Sequence, residues 1–358
     1  MIVTVTPNPS VDWTFEIGGL ARGELNRASD SHAEPSGKGV NVSRALASNG
    51  IGTTAVLPLG GLVAAELAAL LAGEGVDFIA VPITGAVRVN VSLTETDGLA
   101  TKINSPGPRL SGTEIGELVA QTLQAVKPGD WVVGSGSLPP EVTNDLYAQI
   151  CDGAHQRGAR FALDSSGAAL AAGLPAGPDV IKPNIEELAE VTGAVIQTFG
   201  DAAQAARNLL TRGARCVLAS AGPDGALLVT EALMVHAEAP VESTRSTVGA
   251  GDALLAGFIG GGADSPQALR EAAAWASAAL GARGSHVPVV TAAHRAVVQL
   301  TEAVDLARPL RHPAGLRPPP RPRAVLPVPD GYGGRVPLRS AGVPEEARER
   351  RISESEEC

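Results

Sequence analysis

Ser246-Thr247-Val248-Gly249-Ala250-Gly251-Asp252-Ala253-Leu254-Leu255-Ala256-Gly257-Phe258 sets two glycines two positions apart, then a single carboxylate, then an apolar run with helical spacing. Backbone N–H groups without side-chain cover at a helix N-terminus form a site for an anion. An aspartate in that same turn repels a permanent anion. It makes sense where the carboxylate must take a proton from a group that attacks the anion, and that pairing points to phosphoryl transfer to a hydroxyl. The plainer alternative is a glycine-rich turn whose aspartate favours the helix dipole. The stretch taken alone leaves both open.

Working outward, short aliphatic runs alternate with Ala-rich amphipathic segments. Strands are predicted over residues 2–6, 54–57, 131–134, 160–163, 180–181, 215–219 and 226–229. Helices are predicted over 40–48, 63–72, 112–125, 140–155, 185–192, 201–212, 250–260, 266–282 and 291–302. This alternation predicts an α/β fold, with a central, mostly parallel sheet flanked on both faces by helices and ligands at the carboxyl ends of the strands. Two stretches break the rhythm. Residues 12–34 are polar with scattered Phe15, Ile17 and Leu25. Residues 87–104 alternate through Val87, Val89, Val91 and Leu93 to a Thr96-Asp97-Gly98 turn, as a hairpin exposed on one face does. Together they predict a small antiparallel β-sheet lid or dimer contact. From 306 onward prolines and arginines crowd the chain, apolar periodicity stops, and 306–358 reads as a disordered tail after a domain of 1–305.

The 358 residues are 44% hydrophobic, ample for one large core, while aromatics at 3% leave that core to Ala, Val and Leu. A net charge of −10 argues against a nucleic-acid or anionic-membrane partner. No apolar run reaches the roughly 20 residues a membrane helix takes, and the first residues do not form a signal peptide. Cys151, Cys216 and Cys358 show neither metal-ligand spacing nor a disulfide pattern, which predicts a reducing, cytoplasmic setting. No Gly-x-x-x-x-Gly-Lys-[Ser/Thr] loop, Gly-x-Ser-x-Gly elbow or histidine cluster occurs. P-loop and hydrolase-triad chemistry therefore have no support, and the first strand lacks the Gly-x-Gly-x-x-Gly of a dinucleotide oxidoreductase.

Five further stretches carry candidate chemistry. In Pro35-Ser36-Gly37-Lys38-Gly39-Val40-Asn41, glycines flank a lysine at a helix mouth, a mobile charge suited to phosphate with an amide one turn on for hydroxyls. In Ile181-Lys182-Pro183-Asn184-Ile185-Glu186-Glu187, Asn184 and Glu187 share a helical face and offer oxygens to Mg²⁺ through water, or else form a capping box. Gly134-Ser135-Gly136-Ser137-Leu138-Pro139-Pro140 and Ser220-Ala221-Gly222-Pro223-Asp224-Gly225 put small residues at strand ends, as ligand turns or plain turns. Thr6-Pro7-Asn8-Pro9-Ser10-Val11-Asp12 supplies an acceptor for sugar hydroxyls. Arg88 and Lys102 on the predicted hairpin could clamp a second phosphate or simply be solvated.

In this order and at these separations the motifs resemble the PfkB, or ribokinase-like, family of carbohydrate kinases, and within it the phosphosugar branch. The resemblance spans roughly 1–305. It implies a ribokinase-like fold with a β-sheet lid that often forms a homodimer contact, ATP as nucleotide and Mg²⁺ as its ion. Asp252 matches the family's base, and Val248, Gly249, Ala250 and Gly251 its anion hole. Asn184 and Glu187 match its Mg²⁺-linked pair. Asp12, Gly37, Lys38, Gly39, Asn41, Arg88 and Ser137 match its sugar contacts, and Lys182, Asn184, Ser220, Gly222, Gly225 and Val248 its nucleotide contacts. The activity implied is ATP-dependent phosphorylation of a ketohexose phosphate, with D-fructose 1-phosphate the first expectation. Tagatose 6-phosphate, fructose 6-phosphate or a non-catalytic sugar-phosphate sensor are the alternatives. Ser36 stands where the family usually has glycine, and Pro223 is absent from the common form of its loop.

Overall fold

Ten strands form one sheet in the order Gln299–Thr301, Met234–Glu238, Ala226–Thr230, Cys216–Ser220, Val180–Ile181, Arg160–Asp164, Trp131–Ser135, Ile2–Val5, Thr53–Leu59 and Asp77–Pro82. The computed structural model describes residues 1–240, 244–263 and 265–315. From Cys216–Ser220 to Asp77–Pro82 every pairing is parallel, while the other three strands are antiparallel. Along the parallel strands, side chains alternate between two cores. Val3, Val5, Val132, Leu163, Ile181 and Val217 enter one. Val133, Ala162, Val180 and Leu218 enter the other, with Val42 and Leu46 of Lys38–Ser48 and Leu255 and Phe258 of Ala250–Gly260. Burial on both faces is why these strands read as unbroken apolar runs. The scarcity of aromatics is answered by close backbone approach: a Cβ on Gly257 would sit 2.8 Å from Trp275 Cγ, so helices Ala250–Gly260 and Pro266–Leu280 pack glycine against indole.

A second sheet of four strands, in the order Ala28–Ser36, Ser10–Ile17, Arg88–Glu95, Ala100–Ile103, occupies the two stretches that broke the rhythm. It is not wholly antiparallel. Ser10–Ile17 pairs parallel with Arg88–Glu95, Asp12 opposite Asn90. Each of these strands follows a parallel strand of the main sheet, Ile2–Val5 and Asp77–Pro82, so both leave the carboxyl end of that sheet in the same direction. One face of this lid is polar (Asp12, Thr14, Glu16, Asn90, Ser92). The other carries Trp13, stacked on Phe15 at 6.0 Å, with Val91 and Leu93.

Three expectations shift. The helix expected from 140 begins at Leu146, because Pro139 and Pro140 hold a turn and Glu141 takes φ 69°. The helix expected over 291–302 is only Ala292–Ala296, after which Gln299–Thr301 pairs with Met234–Glu238 and closes the sheet edge. The fold also continues past 305: Pro309–Ala314 is a strand antiparallel to Ile196–Thr198. Residues 316–358 of the expected tail lie outside the described residues.

Candidate active site

At the carboxyl end of the sheet, helix Ala250–Gly260 starts at Gly249, which takes φ 78°; a Cβ there would press within 3.1 Å of Ser285. No side chain caps this helix. The amides of its first turn therefore have no intrahelical acceptor and point into the site. Asp252, in that turn, is buried, and Asn41 Nδ2 donates to its Oδ2 at 2.8 Å. The Gly37-Lys38-Gly39 turn opens the helix that carries Asn41, so one hydrogen bond joins two motifs more than 200 residues apart. Burial, and then the charge of Asp164, push the Asp252 carboxyl up to about 6.

Asp164 is the site residue the sequence did not reveal. It ends strand Arg160–Asp164, fully buried, and binds two lysines: Lys38 Nζ at 2.8 Å from Oδ1 and Lys182 Nζ at 3.3 Å from Oδ2. Burial works against its charge, but Lys182 and then Lys38 outweigh it and hold the carboxyl below the usual range. In Ala162-Leu163-Asp164-Ser165, a lone acid after an apolar strand reads as an ordinary turn. The one available signal was its place at a strand's carboxyl end, where such folds gather ligands.

Lys38, expected on a sugar phosphate, is instead engaged by Asp164 and, at 3.4 Å, by Glu187. Burial alone would lower its pKa; Asp164 and Glu187 more than reverse that and keep the ammonium protonated. Lys182 is buried at the helix start: a Cβ on Gly251 would lie 3.3 Å from its Nζ. A cation at the positive end of a helix dipole is unfavourable unless a negative group joins them; Asp164, 3.3 Å from Lys182 Nζ, supplies that charge.

Asn184 and Glu187 form a reciprocal capping box, Asn184 Oδ1 accepting from the Glu187 amide at 2.7 Å and Glu187 Oε2 from the Asn184 amide at 3.0 Å. Each of these oxygens keeps a second lone pair, so the capping box does not remove either residue as an acceptor for a hydrated cation. Asp164 Oδ2 is buried and, apart from Lys182 Nζ at 3.3 Å, has no partner, which leaves it an acceptor for a hydrated ion. Among the described residues no three His, Cys, Asp or Glu side chains converge on a metal position.

On the lid, Asp12 accepts from Ser10 Oγ (2.7 Å), Asn90 Nδ2 (2.8 Å) and Ser36 Oγ (2.8 Å). The serine at position 36 therefore fixes the Asp12 carboxylate. Arg88 donates to the carbonyls of Ser105 (2.9 Å) and Asn8 (3.0 Å), its Nε is buried without a partner, and burial lowers its pKa. Lys102 is not beside it in any hydrogen bond. It lines a cleft of about 630 Å³ with Ser92, Arg245 and Arg283 that extends to Val248, just before the Gly249 turn. Gly136, at φ 103°, lies 3.9 Å (from its would-be Cβ) from Lys38, and Ser137 beyond it is exposed. Ser220 bridges to Asn184, which brings the turn at 220–225, with Gly222 and Gly225 both at positive φ, against the Lys182 turn. Thr6 Oγ1, Asn41 Oδ1 and Ser135 Oγ are buried and unpartnered around the Gly-Lys-Gly turn, as hydroxyl-binding groups would be before a ligand arrives.

Comparison with known proteins agrees with this geometry. The family model described as pfkB family carbohydrate kinase matches residues 7–292. The 1-phosphofructokinase of Rhodobacter capsulatus is 37% identical over 292 residues, 80% of this chain and 92% of that protein. The ATP-dependent 6-phosphofructokinase isozyme 2 of Escherichia coli is 35% identical over 258 residues, 71% of this chain and 83% of that protein. The crystal structure of phosphofructokinase-2 from Escherichia coli in complex with substrates and products superposes with a TM-score of 0.77 at 31% identity, covering 82% of this chain and 97% of that one. With a buried carboxylate tied across the fold to a Gly-Lys-Gly turn, and a family match running through both, this chain belongs to the pfkB family of carbohydrate kinases.

Proposed function

We propose that the protein transfers the terminal phosphoryl group of ATP to O6 of D-fructose 1-phosphate, giving fructose 1,6-bisphosphate. The observation that carries the chemistry is the Asn41–Asp252 hydrogen bond at 2.8 Å, which orients a carboxylate titrating near 6 beside an uncapped helix start. Asp252 takes the proton of the acceptor hydroxyl as its oxygen bonds to phosphorus and the bond to the nucleotide's bridging oxygen breaks. The first-turn amides, Gly249 to Gly251, receive the charge on the transferring group, with Lys38 and Lys182 as fixed cations. Catalysis is then positioning and electrostatics. Asp164 and Glu187 would hold Mg²⁺, which when bound neutralises phosphate charge.

Arg88 is assigned to the phosphate the sugar already carries, because it is a partly buried guanidinium pinned to two carbonyls with Nε unpartnered. Asp12, Asn41, Ser137 and the Gly37–Lys38–Gly39 turn surround the sugar. Lys182, Ser220, Gly222, Gly225 and Val248 line the nucleotide. The lid's apolar face (Trp13, Phe15, Leu93 and the exposed Ile103) is proposed to bury against a second copy. A reducing compartment suits the buried thiols of Cys151 and Cys216.

A coupled assay of ADP release over fructose 1-phosphate, tagatose 6-phosphate, fructose 6-phosphate and fructose tests the reading. The highest kcat/KM is expected with fructose 1-phosphate. Preference for fructose 6-phosphate would transfer the assignment to the second reading, favoured by the 35% identical isozyme 2. ADP release with none of them would leave only a sensor.

A further inference from the structure

The segment after residue 305 reaches back to one point of the molecule. Asp224, in the turn at 220–225, is 1% exposed and receives three contacts from that segment. Arg308 NH2 donates to Oδ1 at 3.2 Å, the Arg311 backbone N–H donates to Oδ2 at 2.7 Å, and Arg311 Nε lies 3.4 Å from Oδ1. Arg311 also donates to the Pro223 carbonyl, and Glu238 pairs with Arg308 at 3.0 Å and Arg311 at 3.4 Å. The segment is itself fixed: Phe199 N–H donates to Arg308 O, Gly200 N–H to Leu306 O, and Pro309–Ala314 pairs with Ile196–Thr198. The Arg308 guanidinium lies 5.1 Å above the Phe199 ring. That ring meets His236 edge-on, and His236 Nε2 donates to the Asp224 carbonyl at 2.7 Å.

We infer that Arg308 and Arg311 are positioning residues for the nucleotide, holding the turn at 220–225 in register through buried Asp224. The inference rests on the proposal that this turn lines ATP. The turn cannot adjust on its other side. A Cβ on Gly225 would lie 2.0 Å from Ala237 O, so it packs flush on strand Met234–Glu238. Ser220 N–H donates to Pro183 O at 3.0 Å, so displacement of the turn reaches the Lys182 turn directly. A buried carboxylate stripped of its cations moves toward water or takes a proton, and either response shifts the backbone that faces the nucleotide.

The full-length double variant Arg308→Ala/Arg311→Ala tests this, with Arg308→Lys/Arg311→Lys as rescue. The KM for ATP is expected to rise about tenfold, with kcat and the KM for the sugar phosphate within about twofold, since misplacement remote from the chemistry acts through binding. The lysine pair should recover most of the loss. Unchanged KM for ATP, or a uniform decline of all parameters with Tm, overturns the inference. Hydrogen exchange of the wild-type protein with and without ADP separates the two layers. Absence of ADP protection at 220–225 removes the nucleotide reading and the inference with it. Protection there, together with an unmoved KM for ATP in the double variant, removes the inference alone.

Discussion

The core side of the site and the lid side solve different problems. On the core side, Asp164, Asp252, Lys38 and Lys182 are held at strand and helix ends, and Asp164, Asp252 and Lys182 are almost wholly out of water. There each charge is set by its neighbours: Asp164 stays ionised only because two ammonium groups flank it, and Asp252 is pushed up because burial and Asp164 both oppose its charge. On the lid, Asp12, Ser10, Ser36, Asn90 and Arg88 sit in a thin sheet with its other face apolar, joined mostly by neutral donors. The core can tune reactivity because it is rigid and dry. The lid can select a substrate because its hydrogen bonds are modest and can be exchanged for ligand contacts.

The largest effect should come from the core. Asp252→Asn is expected to lower kcat about 10²–10⁴-fold, the usual worth of a general base, with ATP binding nearly intact by calorimetry. Near-wild-type kcat would break the division of labour. In the wild-type protein kcat should fall below pH about 6, as Asp252 takes a proton. The sign for stability is opposite. Because the folded-state pKa is raised, the native form keeps a proton between an aspartate's ordinary value and about 6 that the unfolded chain has released. Stability from this group therefore declines as pH rises through that window. Asp252→Asn should accordingly melt higher than wild type at pH 8.

Asp164→Asn leaves two ammonium groups without their shared carboxylate and should cost about 3–5 kcal/mol of stability, read from urea unfolding. A loss comparable to an exposed pair would mean the core is wetter than its geometry. On the lid, Arg88→Ala should raise the KM for fructose 1-phosphate about 10–100-fold, the worth of one or two charge-assisted hydrogen bonds, with little change in kcat. An unchanged KM for every sugar phosphate would remove the phosphosugar assignment. Smallest of all, Ser36→Gly removes one of three donors to Asp12 and should change the sugar KM by less than about fivefold.

Much of this was legible before any coordinates. Val3, Val5, Val132 and Val133 announce strands buried on both faces, and the alternation of Val87, Val89, Val91 and Leu93 announces a sheet with one apolar face. Glycines at 37, 39, 249 and 251 mark turns where a Cβ would crowd Thr6, Ser285 or Lys182. Pro309–Ala314 was misread as tail because proline and arginine carry no strand signal; it pairs through the edge that Ile196–Thr198 offers. Residues 299–301 were misread as helix for the same reason, an edge partner decided elsewhere in the chain.

The sequence by itself determined the parallel α/β frame, the two-faced lid, and the Gly-Lys-Gly and Gly-Ala-Gly-Asp turns, because periodicity and backbone freedom are local properties. Only the tertiary structure decided that Lys38 faces Asp164 and Glu187, that Asp164 belongs to the site at all, and that Arg308 and Arg311 close on Asp224. A charge takes its partner and its pKa from groups that folding brings within a few ångströms, and no spacing along the chain encodes that distance.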